Sequence, residues 1–143
     1  MIKALIPFWV YWGVLVLGCI LFFVCPLMFF IMLPTLLVII PVWFIVVYLI
    51  GNMVQQKSRL EGIGKRIILA FLCSALTIMI FPVGSGIYDI LQWNKLHLNS
   101  FINGFKDMFL WGVFAVHFLI FWIGEEVGHV ATKGNEDLQK KIL

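Results

Sequence analysis

The amino-acid sequence predicts an all-α integral membrane protein with four transmembrane helices, arranged as two hairpins. Three observations carry that reading. Between Lys3 and Lys57 there is no charged side chain. The 143 residues are 63% apolar and 12% charged, with a mean hydropathy of +1.08, whereas a soluble domain carries about a quarter charged residues. Finally, Lys57, Arg59, Lys65 and Arg66 fall in one short polar stretch between apolar segments. A helix needs roughly 20 apolar residues to cross about 30 Å of hydrocarbon, so the run 4–56 is long enough only for a chain that folds back.

The whole chain reads as a single membrane domain, 1–143. Its first crossing is expected at about 8–25, with Trp9 and Trp12 near the first turns, where an indole suits the headgroup level. Lys3 and the apolar residues after it resemble a secretory signal, and Val16-Leu17-Gly18-Cys19 loosely resembles a lipoprotein cleavage box. Leu17 is large for the small position, and the chain continues as Ile-Leu-Phe-Phe-Val, so the segment is expected to be retained as a helix. Pro26 and Pro34 bracket seven apolar residues. Proline removes a donor and clashes with the preceding helical turn, so the fold-back is expected within 26–34; a re-entrant element there is the alternative. The second crossing is expected at about 34–52, with Pro41 kinking it.

The polar stretch 53–66 follows. Its four cations against Glu61 are the strongest orientation signal in the chain, and the positive-inside rule puts them in the cytoplasm. The same Lys57, Arg59, Lys65 and Arg66 would also suit anionic lipid. A third crossing at about 67–87 ends in Pro82-Val83-Gly84-Ser85-Gly86, where a break is expected. Next comes the stretch 89–107, in which Leu98, Phe101, Ile102 and Phe105 recur at helical period. It predicts a short interfacial amphipathic helix over about 97–106, whose apolar stripe meets lipid, the bundle or a partner.

The fourth crossing is expected at about 108–127. His117, near its middle, is the one ionisable side chain clearly at membrane depth. Such a residue marks a helix–helix hydrogen bond or a conduction path. A proton path needs further carboxylates or imidazoles at similar depth, and segments one to three have none. Gly124 and Gly128 then form a small-xxx-small pair, allowing close helix approach. Glu125, Glu126 and His129 make a polar cluster in which either acid can reach the imidazole, at i, i+4 or i, i+3. Glu-x-x-His also occurs in bundle di-metal sites, but no matching ligands stand on the other segments. The tail beyond Ala131 is expected to be a frayed turn.

Four crossings with 53–66 inside put both termini inside. Eight of the ten Lys and Arg then lie on the cytoplasmic side, and Lys95 and Lys106 lie outside. Nucleic acid is excluded as a partner, because topology accounts for the basic residues. Cys19, Cys25 and Cys73 lie in apolar runs without metal-ligand spacing and read as small buried side chains. No cofactor fingerprint or nucleophile–base pair is present, so no enzyme, metal or cofactor chemistry is expected.

The function the sequence suggests is association with another membrane protein, or with further copies of itself, alongside lipid. Small polytopic proteins of immunity, exclusion or accessory type share this spare layout, a likeness of architecture that no motif carries. An oligomeric channel or transporter subunit using His117 is the first alternative. A membrane-embedded enzyme using Glu125, Glu126 and His129 is the second.

Overall fold

A computed structural model describes residues 2–24, 27–95, 102–103, 105–106 and 108–142. After a 3-10 turn at Ile2–Leu5, the chain forms α1 (Ile6–Val24), α2 (Leu27–Ser58), α3 (Ile63–Ile78), α4 (Ile80–Trp93) and α5 (Met108–Ile142). Four stretches of these helices are long and apolar enough to cross a membrane: Lys3–Leu21, Val38–Ser58, Ile63–Leu91 and Met108–Gln139. In hydrocarbon, backbone polar groups must pair within their own segment, so β-branched runs such as Val38-Ile39-Ile40 are helical here although they favour strands in water.

The boundaries differ from the sequence expectation in four places. Residues 27–34 are not a turn, because α2 begins at Leu27 and remains helical through positions 34 and 41, and position 26 lies outside the described residues. Neighbouring helices and local adjustment let a membrane helix keep a proline. The polar stretch 53–66 is mostly helix, and only residues 59–62 connect α2 to α3. Arg59 ends α2 in the left-handed region (φ 50°), and its N–H donates to Gln55 O at 2.8 Å, a C-terminal closure of the αL kind.

The third interruption moves as well. The helical assignment is interrupted at Met79 alone, not across 82–86, and residues 82–86 are helical within α4. Met79 keeps right-handed helical dihedrals, its N–H donates to Ala75 O at 3.1 Å and its own O accepts from Val83 N at 3.2 Å. The N–H that Pro82 lacks is the one that would reach Ile78 O four residues back. Finally, the tail is not a frayed turn: α5 is continuous to Ile142. Arg59 and Glu136, both exposed, approach to 3.6 Å across that end, a pair of small energetic weight. The proposed interfacial segment 97–106 lies largely outside the described residues, as does Phe101.

Cross-helix contacts give the directions. Phe8 meets Phe121 while Tyr11 meets His117, so α1 runs antiparallel to α5. Arg66 meets Glu126 while Ser74 meets His117, so α3 is antiparallel to α5 too. On α2, Tyr48 faces Gly124, Asn52 faces Gly124 and Gly128, and Gln55 reaches His129, so α2 and α5 are parallel. The most extensive packing joins α2 to α5, followed by α3 to α5 and α1 to α2. The most extensive contact in the bundle is therefore made by a parallel pair distant in sequence, α2 and α5.

Its core holds Phe8 and Tyr11 from α1, Val47, Ile50 and Val54 from α2, Ala70 and Cys73 from α3, and Phe121 from α5. The outer faces are apolar as well. Val10, Val14 and Leu17 on α1 and Ile68 and Leu72 on α3 are all exposed, as side chains that meet lipid would be.

Candidate functional site

The close approach of α2 and α5 is made by glycines. A Cβ built on Gly124 would overlap Tyr48 O and come within 3.1 Å of Asn52 N. One on Gly128 would lie 2.8 Å from Asn52 O, and one on Gly51 would overlap Phe121 O. The obstructing atoms are mainly backbone, so side-chain rotation gives no relief. Gly51 has no small residue four positions away to mark it, which is why periodicity finds Gly124 and Gly128 but not their counterpart.

Two polar clusters lie along this seam. In the deeper one His117 is fully buried. Its Nε2 is 3.2 Å from Tyr11 Oη and its Nδ1 is 2.8 Å from Ser74 Oγ. Trp43 donates its indole N–H to Tyr11 Oη at 2.9 Å. One consistent proton order runs from Trp43 to Tyr11, on to His117 Nε2, and from His117 Nδ1–H to Ser74 Oγ. The rings of Tyr11, Trp43 and Phe121 surround the imidazole at centroid distances of 6.0, 5.6 and 6.1 Å. Each of the four membrane-length segments thus supplies one member of the network.

Sequence reasoning singled out His117 but not its partners. A signal existed: Tyr11 is one of three hydroxyls between Ala4 and Ile50, and Ser74 one of two between Ile67 and Pro82. Scarcity makes each a candidate, but only packing says which of them turn inward. A channel reading needs His117 to face a lumen. Within one chain it faces Tyr11, Trp43, Ser74 and Phe121. His117→Ala is expected to lower stability by about 2–4 kcal/mol, through a cavity and lost partners for buried hydroxyls. The unfolding midpoint in a denaturing-detergent titration measures this.

The second cluster lies at the α2–α3 connection and separates the adjacent acids. Glu126 accepts from Arg66 at both carboxylate oxygens, Nε to Oε1 at 2.9 Å and Nη2 to Oε2 at 3.0 Å, and from Trp122 Nε1 at 3.1 Å. The remaining Arg66 nitrogen, Nη1, donates to Leu60 O and Glu61 O at 3.2 and 3.3 Å. Arg66 is therefore buried and paired, whereas Lys57, Arg59 and Lys65 are exposed. Anionic lipid at this end would meet those three and not Arg66. His129 is half-buried, its Nδ1 3.5 Å from Gln55 Nε2.

Glu125 is wholly buried, and neither of its carboxylate oxygens has a hydrogen-bond partner among the described residues. The triplet Glu125, Glu126 and His129 therefore does not converge as a ligand set, and no group of three His, Cys, Asp or Glu among the described residues is placed to hold a metal ion. On the opposite end, Ile102 is exposed and Phe105 half-buried, with Trp111 donating its indole N–H to Phe105 O at 2.8 Å.

These features define a small all-helical membrane protein whose four membrane-length segments pack around internal polar clusters. Comparison with known protein families, curated protein sequences and solved structures finds no match for the chain.

Proposed function

We propose that this protein acts without catalysis of its own, by helix–helix association with another membrane protein, as an accessory, immunity or exclusion protein. The observation that carries the reading is the inward turn of its polar side chains. His117 is occupied by Tyr11 and Ser74, and Arg66 by Glu126, while broad apolar faces on α1 and α3 point outward. A chain so arranged has contact surface to offer and little solvent-facing chemistry.

The expected setting is a bacterial inner membrane or a plasma membrane. The antiparallel run of α1 and α3 against α2 and α5 gathers the first residues, the 59–62 connection and the charged end of α5 at one end of the bundle. Lys3, Lys57, Arg59, Lys65 and Lys133 lie at that end, and the positive-inside rule makes it cytoplasmic. The opposite end, around Ile102 and Phe105, is the proposed recognition surface.

Purification of a tagged chain in mild detergent is expected to bring down one membrane protein in near-equal amount. Replacing Ile102 and Phe105 with Ser should abolish that recovery while leaving the bundle folded. A monodisperse chain without a companion, together with an unchanged phenotype of the double variant, refutes the reading.

A further inference from the structure

Glu125 is the side chain that the rest of the bundle does not account for. It is fully buried, and neither oxygen has a hydrogen-bond partner among the described residues. The neighbouring cation cannot serve it, because the donors of Arg66 are directed to Glu126, Leu60 O and Glu61 O. Across the seam Gln55 is buried as well. Its amide nitrogen donates to Leu60 O at 2.9 Å, which sets the amide orientation, and its Oε1 has no partner. Toward the connection end of the bundle, three buried acceptor oxygens thus have no donor among the described residues.

An unpartnered carboxylate is among the most costly groups a fold can bury. What this buried end of the seam lacks is one positive charge and one donor. Calcium and magnesium take six or more oxygen ligands, twice what is present. Transition metals find no set of three His, Cys, Asp or Glu among the described residues. A single proton supplies both deficits, since Arg66 and Glu126 already cancel and a protonated carboxyl is neutral and carries an O–H.

We propose that Glu125 is a proton-binding site, held as the neutral acid in the closed bundle, with Gln55 Oε1 as the acceptor that α2 provides. The charged and titratable groups that bear on it are Arg66 and Cys73 from α3 and Glu126 from α5, while His129, one turn on along α5, meets Gln55. Across the seam α2 brings Gly51 against the Glu125 backbone, with the buried Val54 and Gln55 following on the same helix, none of them charged. The proposal does not depend on the partner-binding role and survives its failure.

Dicyclohexylcarbodiimide tests it, because the reagent enters apolar regions and adds to a carboxyl that carries its proton. The full chain in detergent micelles is expected to take up one equivalent. Peptide mapping should place it on Glu125, with Glu126 unlabelled, declining as pH rises and indifferent to added Na⁺. Glu125→Gln should lose the adduct. Mapping on the unaltered chain decides the matter even if that variant fails to fold. Absence of label on Glu125 across the pH range, or protection of Glu125 by Na⁺ at constant pH, overturns the proposal.

Discussion

Gly124→Val is expected to separate α2 from α5 and to leave little folded protein. The new side chain would start from a Cβ that already overlaps Tyr48 O and crowds Asn52 N. Those are backbone atoms of a helix whose hydrogen bonds cannot be given up in lipid, so the two helices must move apart. Overfilling a packed site costs about 1–3 kcal/mol or more, and here the displaced seam also carries the contacts of Val47, Ile50, Val54 and Phe121. Gly51→Val should behave alike. Gly13, Gly18 and Gly112 provide the control, since nothing lies within 4 Å of a Cβ at any of them. Alanine at those three should be neutral, or stabilise by up to about 1 kcal/mol through helix propensity. Denaturing-detergent midpoints compare the two sets, and equal effects for Gly124→Ala and Gly112→Ala would show that the close approach is not essential.

Replacing Arg66 with Ala should have the next largest effect. Arg66 is 4% exposed and its guanidinium makes a two-pronged contact with Glu126. Removing one member of a buried ion pair costs about 3–5 kcal/mol, chiefly by leaving the other charge unpaired. The Glu126 side chain keeps 32% of its surface exposed, so water takes up part of the loss and about 2–4 kcal/mol is expected. The carbonyls of Leu60 and Glu61 lose their donor in the same substitution, which loosens the short connection between α2 and α3. Lysine keeps the charge but not the planar fork, and Arg66→Lys should fall between wild type and alanine. A double-mutant cycle with Glu126→Gln isolates the pair. Additive losses would mean that Arg66 acts mainly through the connection.

Helix formation and its membrane setting were legible in the residues because hydrocarbon imposes a coarse requirement. Length and apolarity are summed over some twenty positions, and no single residue can mislead the sum. Boundaries were less legible. Proline signals a break in water, yet α2 passes through Pro34 and Pro41, and around Pro82 the interruption is confined to Met79. Local chemistry offers several places to interrupt a helix, and neighbouring helices select among them.

The candidate site divides along the same line. His117, Gly124 and Gly128 stand out by type and spacing, and the acids beside His129 stand out by adjacency. Adjacent residues on a helix, however, are about 100° apart around its axis. Glu125 therefore turns into the seam while Glu126 turns to Arg66, and nothing in Gly-Glu-Glu-Val-Gly-His says which does which. Tyr11, Trp43, Ser74 and Gln55 come from segments far from His117 and Glu125 in sequence. The residues alone determined a four-span apolar chain with a basic end and a few polar groups at depth. Only tertiary packing decided that α2 and α5 lie side by side, that His117 has a partner for each ring nitrogen, and that Glu125 has none. Composition acts through sums along the chain, whereas partnership depends on how each helix is rotated against its neighbours.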